Sequence, residues 1–369
     1  MNQRINRTVF FRWYSTNRPV APALCIKEEA VKEPPKVAMF STHDFERPRF
    51  ERHADEHLSM TFHETRMSKK TAALAEGHDA VCCFSEDTVD ADAIEILADA
   101  GVRLIALRSA GFNNVDLRAA DRHGIPVVRV PAYSPHAVAE HAMALILCLN
   151  RKIHKAHNRV RDLNFSLEGL EGFDLHGKTF GIIGTGKIGE QMARIAHGFG
   201  CNVIAFSKEK SEALVKEGWL DYVDFETVIA QADIVSLHVP LTPETRHLID
   251  EQALAKMKTR AMLINTGRGA LIDARALIQS LKKGDIGAAG LDVYEEEEGV
   301  FREDLSNQVL QDDTLARLLT FPNVLITSHQ AFLTREALEN IAATTVDNIL
   351  GYFRSGDLTN QVSADKDLA

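Results

Sequence analysis

The sequence predicts an α/β protein with two doubly wound parallel-sheet domains, flavodoxin- or Rossmann-like, and a cleft between them. Three observations predict it. The chain has 369 residues, more than one small core accommodates. Short apolar runs alternate with helical periodicities along most of its length, as in a parallel sheet covered on both faces. A glycine turn, Gly184-x-Gly186-x-x-Gly189, stands between a strand pattern and a helix pattern in the second half.

Residues 1–27 stand apart. They carry Arg4, Arg7, Arg12 and Arg18 with no acid before Glu28, and Phe10, Phe11 and Trp13 add apolar bulk. A basic, acid-free, amphipathic start has the composition of a mitochondrial transit peptide, and Arg12-Trp13-Tyr14 suits matrix-protease cleavage after Tyr14. Residues 1–35 are therefore expected to be an N-terminal extension that directs the chain to the mitochondrial matrix. A tail without consequence, and a cytoplasmic chain, is the alternative.

Beyond Pro34-Pro35 the pattern is regular. Val37–Ser41, Asp79–Ser85, Val102–Leu107 and Val127–Val130 are expected strands, and Ala91–Ala100 an expected helix that stops at Gly101. Ser134-Pro135 opens a long helical segment to about Arg161, with Ser as N-cap and Pro at the first position. A second series of strands follows at Thr179–Ile183, Asn202–Phe206, Ile234–Val239, Ala261–Asn265, Gly287–Val293 and Val324–Thr327. A last helical pattern runs from about Thr334 to Phe353.

Composition narrows the function. Lys and Arg total 42 against 52 Asp and Glu, a formal charge of -10, so nothing electrostatic favours nucleic acid. No apolar run reaches the ~18 residues of a membrane span. The five cysteines form no CxxC or zinc-type spacing. No metal is expected, and the adjacent Cys82 and Cys83 are expected as buried free thiols.

The glycine turn has the context a dinucleotide site needs. Gly184 permits the tight turn, Gly186 leaves room for a pyrophosphate, and Gly189 lets the helix pack on the sheet. Lys187 and Ile188 open that helix, whose N-terminus offers free N–H groups and a positive dipole end. The acid that usually ends the second strand is replaced by Ser207, followed by Lys208 and Lys210. Two readings stay open. Either the site accepts NADP(H) beside NAD(H), or a shifted loop holds NAD(H) without the acid.

Three late strands end in polar residues. Thr266-Gly267-Arg268 follows one, Asp292 and the run Glu295–Glu298 the next, and Ser328-His329 the third. Arginine offers a planar pair of donors to a carboxylate and polarises a ketone. Histidine gives a proton as hydride arrives and takes it back in the reverse direction, and a carboxylate beside it favours imidazolium. Taken singly, Arg268 suits a surface ion pair, His329 a structural role, and the glutamates a solvated loop. Their joint placement after a dinucleotide motif makes them candidate reacting groups.

At this point the chain resembles the D-isomer-specific 2-hydroxyacid dehydrogenases, most of all the bacterial-type D-lactate dehydrogenase branch. The likeness covers about residues 36–362. It rests on Arg108-Ser-Ala-Gly-Phe-Asn-Asn-Val-Asp116, Val130-Pro-Ala-Tyr-Ser-Pro135, Ala139-Glu-His-Ala142, the glycine motif and His238-Val-Pro-Leu-Thr-Pro243. It continues through Ile264-Asn-Thr-Gly-Arg-Gly-Ala-Leu-Ile-Asp273, Gly290-Leu-Asp-Val-Tyr-Glu295 and Ser328-His-Gln-Ala-Phe332. The resemblance implies that Arg268 binds substrate carboxylate and ketone, and that His329 is the acid/base. It selects Glu297, five residues after Asp292, as the carboxylate partner. It puts Asp292 and Thr266–Arg268 on the nicotinamide side and Val239-Pro240 on the adenosine side. It gives the N–H groups of Ala110 and Gly111 to the substrate carboxylate, and the side-chain pocket to Phe84, Tyr133 and Phe332. Such a pocket suits a methyl group, hence pyruvate and D-lactate.

The resemblance further implies a discontinuous substrate domain, 36–133 plus 334–362, around a cofactor domain at 134–333, with closure by a hinge. The expected partner is a small 2-keto or 2-hydroxy acid, with neither nucleic acid nor membrane, in a homo-oligomer of two or four copies. Two other functions fit the same scaffold. One is a glyoxylate or hydroxypyruvate reductase, which needs a pocket for a smaller or more polar side chain. The other is a dinucleotide-sensing corepressor of the C-terminal-binding-protein type, which the leader and the lack of long interaction tails disfavour.

Overall fold

A computed structural model describes residues 33–297 and 299–364. The leader expected at the N-terminus falls on residues outside that range, as does Cys25.

The first sheet contains β1 (Lys36–Met39), β2 (Ser59–Phe62), β3 (Ala80–Cys83), β4 (Leu104–Leu107) and β5 (Val127–Val128). The second contains β6 (Thr179–Ile183), β7 (Asn202–Phe206), β8 (Leu220–Tyr222), β9 (Ile234–Leu237), β10 (Met262–Asn265), β11 (Ala288–Leu291) and β12 (Val324–Ile326). The chain then returns to the first sheet with β13 (Gln361–Val362). The orders are β13-β5-β4-β3-β1-β2 and β12-β11-β10-β9-β6-β7-β8. Every described pairing is parallel except that of β13 with β5. Both sheets are therefore doubly wound, and in the second the order reverses between β6 and β9.

The central strands of each sheet are buried on both faces, which is why they read as near-continuous apolar runs. In the first sheet Ala38, Val81, Cys83 and Ile105 join one core, and Val37, Met39, Cys82 and Leu104 the other. Cys82 and Cys83 thus face opposite ways as free thiols, and burial pushes the Cys82 thiol up to about 12.

Two helices assign the chain to its layers. Helix Pro135–Arg151 starts at Ser134, whose side chain accepts from the Ala137 N–H. It buries Ala139, Ala142, Met143, Ile146 and Leu149 with Phe180, Ile182 and Ile264 of the second sheet. Helix Arg335–Ser355, capped by Thr334, buries Leu338, Ile341, Val346 and Ile349 with Val37, Met39 and Leu104 of the first. Each such Leu, Ile, Val or Met side chain contributes roughly 1.5–3 kcal/mol on burial.

The long helix expected from Ser134 to Arg161 is two helices. Lys152 turns left-handed (φ 50°) and a second helix, Ile153–Arg161, starts after it. The cause is tertiary. Asn150 donates to the Phe173 carbonyl at 2.7 Å and accepts from the Phe173 N–H at 2.8 Å, so a returning segment occupies the helix end.

Candidate active site

The C-terminal ends of β3 and β4 from the first sheet meet those of β10, β11 and β12 from the second. Open α/β sheets bind ligands at such strand ends. A cavity of about 460 Å³ lies there, lined by Arg66, Ser85, Glu86, Asn113, Glu297, Arg302 and His329 among others.

His329 and Glu297 are joined. Nδ1 of His329 lies 2.7 Å from Oε1 of Glu297, and the Tyr294 N–H donates to Oε2 at 3.2 Å. Burial alone would raise the Glu297 carboxyl, yet the His329 hydrogen bond and charge, the Tyr294 N–H and Arg302 together hold it below the usual range. Among the described residues no hydrogen bond occupies Nε2 of His329. Glu295, in the same acidic run, pairs instead with Arg246 and His247 at 2.6 and 2.9 Å. Glu298 lies outside the described residues.

His329 sits in the left-handed region, φ 45°, which costs a non-glycine residue of order 1–3 kcal/mol. Asp292 holds it there. The His329 N–H donates to the Asp292 carbonyl at 2.7 Å. The Asp292 carboxylate, 0% exposed, accepts from the Gln330 and Ala331 N–H groups and from the Thr327 hydroxyl. His141 lies 3.3 Å from it. Burial would raise this carboxyl too, but the hydrogen bonds from His141, Thr327 and the two N–H groups bring it down. The Asp292 carboxylate is thus directed at the segment that presents His329.

Arg268 follows β10 and reaches across the cleft. Its Nη1 donates to the Gly267 carbonyl at 2.8 Å, while Nη2 lies so close to Gly111 that a Cβ there would overlap it. Arg129 and Ser109 hold the carbonyls of Ala110 and Gly111, each at 2.7 Å. Among the described residues neither N–H of that pair donates a hydrogen bond, so the guanidinium and two free N–H groups converge. Phe84, Phe332 and Tyr133 pack edge to face, with centroids 6.0 Å apart for the first pair and 6.3 Å for Tyr133 with Phe332.

The glycine turn follows β6 at the reversal in strand order. Gly184 has φ 95°, and a Cβ there would lie 2.6 Å from the His238 carbonyl oxygen and 2.7 Å from Val239, just before Pro240. A Cβ at Gly189 would overlap the Gly184 carbonyl oxygen. Gly186 caps helix Lys187–Gly198, with Lys187 and Ile188 in its first turn, and has open space beside it. Ser207 accepts from the Thr185 N–H at 3.3 Å. The Thr266 hydroxyl is buried without a hydrogen-bond partner. An open glycine cradle at a helix N-terminus and an orphaned hydroxyl at the next strand end but one fit a dinucleotide.

The structure therefore brings together the residues expected for carboxylate binding, proton transfer and the apolar pocket. Sequence reasoning assigned no role to His141, Thr327, Glu86 or Arg302. His141 lies within a quoted motif, whereas Glu86 and Arg302 carry no motif signal.

Residues 143–331 match the family model described as D-isomer specific 2-hydroxyacid dehydrogenase, NAD binding domain. The chain is 51% identical over 316 residues to 2-hydroxyacid dehydrogenase homolog 1 of Schizosaccharomyces pombe, covering 85% of this chain and 95% of that one. It is 50% identical over 315 residues to the D-lactate dehydrogenase of Escherichia coli, with the same coverage. Among solved structures, the pyruvate reductase of Chlamydomonas reinhardtii superposes with a TM-score of 0.84 at 45% identity, over 89% of this chain and 99% of that one.

Proposed function

We infer the reaction from one premise: the chain belongs to the D-isomer-specific 2-hydroxyacid dehydrogenase family and is an NAD-dependent oxidoreductase acting on a CH–OH group. We propose that it interconverts pyruvate and D-lactate. The observation that carries the reading is the 2.7 Å contact of His329 with Glu297 at the cleft that Arg268 enters.

NADH, when bound, would supply the hydride for the keto carbon. Arg268 and the N–H groups of Ala110 and Gly111 hold the carboxylate and fix the ketone in place. His329 gives the proton from Nε2 to the oxygen as it becomes an alcohol, and Glu297 keeps the ring oriented through Nδ1. Oxidation runs the same transfers backwards. Thr266, Gly267 and the glycine turn would hold the dinucleotide, with Val239 and Pro240 toward the adenosine. Phe84, Tyr133 and Phe332 favour a methyl group over the polar side chain of hydroxypyruvate. The names of the bacterial and algal relatives support the same substrate.

Initial rates with NADH and pyruvate, hydroxypyruvate, glyoxylate and phenylpyruvate test this. Pyruvate is expected to lead in kcat/KM, and a clear preference for hydroxypyruvate or glyoxylate would overturn the assignment. Repeating them with NADPH addresses Ser207, since no carboxylate at that position repels a 2′-phosphate and the exposed Lys208 adjoins it. A preference for NADH above about a hundredfold would sink NADP(H) use.

The arginines at 4, 7, 12 and 18 support a mitochondrial location, which imaging of the tagged chain checks against a cytoplasmic or nuclear one. The exposed Ile153, Leu163, Phe165 and Leu167 support a homo-oligomer, dimer or tetramer, and a monomeric mass by light scattering would refute it.

A further inference from the structure

Arg302 occupies a position that none of the assigned roles uses. It lies between β11 and β12, and its side chain is only 13% exposed. Its contacts come from both sides of the cleft. Toward the first sheet, Nη1 lies 3.2 Å from Oε2 of Glu86, and the guanidinium carbon lies 4.6 Å from the Phe84 ring centroid. Within the second domain, its N–H donates to the Ser328 hydroxyl at 2.9 Å and Nη2 to the His329 carbonyl at 3.3 Å. The Phe332 ring is 5.9 Å away.

Phe84 thus carries two cations, since the buried Arg108 lies 4.7 Å from the same centroid. Each has its own counter-ion, Glu46 at 3.0 Å for Arg108 and Glu86 for Arg302. Glu86 is built for this. Burial would raise its carboxyl, but the His43 hydrogen bond and the charges of Arg302, His43 and Arg66 lower it to about 2. The cavity of about 460 Å³ at the strand ends includes Arg302 in its lining but neither Phe84 nor Phe332. The guanidinium therefore stands between the aromatic pocket and that open space.

We propose that Arg302 is a specificity-determining residue that walls off the side-chain end of the substrate pocket when the two domains meet, with Glu86 holding it in place. This rests on the reading of the cleft as a 2-keto acid site. A small side chain stays within the ring cluster, while a longer one runs into the guanidinium. Without Arg302 the pocket opens into the neighbouring cavity. Because Arg302 touches the His329 carbonyl, the same contact ties closure to the segment that presents the imidazole.

The test compares the wild type with Arg302→Ala, Glu86→Gln and the double variant, on pyruvate and on 2-ketoisocaproate with NADH. Arg302→Ala is expected to raise the kcat/KM ratio of 2-ketoisocaproate to pyruvate by ~10-fold or more, chiefly through KM. Glu86→Gln should give a smaller change of the same sign, and the double variant no more than Arg302→Ala alone. An unchanged ratio in Arg302→Ala, or an equal loss on both substrates, overturns the proposal while pyruvate reduction by the wild type leaves the broader reading standing. A wild type that reduces neither substrate overturns both. Should Arg302→Ala fail to fold, Arg302→Met, which keeps an unbranched apolar stem, is read by the same ratio.

Discussion

Replacing Glu297 with Gln isolates one charge. Glutamine preserves the shape and can still accept from His329, so the 2.7 Å contact survives as a neutral hydrogen bond. What goes is the carboxylate that burial, acting upward, fails to neutralise. A hydrogen bond to a charged group exceeds a neutral one by about 1–1.5 kcal/mol. If that difference is expressed in the transition state, kcat/KM falls ~5- to 13-fold. Initial rates in both directions at one fixed pH measure it, with thermal melting as the control for folding. A variant with wild-type kcat/KM would refute the pairing as a source of catalysis.

Three other outcomes follow from the geometry. Gly111→Ala puts a methyl group against the mobile end of Arg268, so kcat/KM for pyruvate should drop ~10-fold or more with the melting temperature little changed. Gly189→Ala presses on the Gly184 carbonyl, which is backbone and cannot swing aside, so NADH binding by fluorescence titration and thermal stability should fall together. Glu86 titrates in the folded chain at about 2 against an ordinary 4.5, a difference worth ~3 kcal/mol. Its folded value is depressed, so that stability is present above about pH 4.5 and lost as pH falls toward 2. Denaturant unfolding of Glu86→Gln should show a shallower decline across that window than the wild type.

Much of this was legible in the residues themselves. Buried parallel strands leave near-continuous apolar runs, so β3, β4 and the strands from β6 to β12 were visible except β8, whose Leu220-Asp221-Tyr222 is too short and polar. The edge strands β2 and β13 were equally silent. Alternate residues of β2 are exposed, and β13 is two residues long. The break at Lys152 has no glycine or proline to announce it, because Asn150 and Phe173 impose it from outside the helix. At the site, strand ends indicated Arg268 and His329, whereas Glu297 was separable from its neighbours only by resemblance. The structure gives the reason in space, with Glu295 turned to Arg246 and Glu297 to His329. Arg302 was invisible because its contacts at Phe84 and Glu86 are more than two hundred residues away in sequence.

The return of the chain to its first sheet sets an order of assembly. Residues from Pro135 to β12 form an uninterrupted stretch with its own two cores, so they can fold as soon as they are made. The first sheet has no such independence. Until Leu338, Ile341, Val346 and Ile349 arrive on helix Arg335–Ser355, one face of Val37, Met39 and Leu104 is covered only in part, by Phe50, Ala54 and Leu58. A chain synthesised or delivered N-terminus first must keep that apolar face partly uncovered while nearly all the remaining residues pass. The first sheet is thus among the last parts of the molecule to be finished.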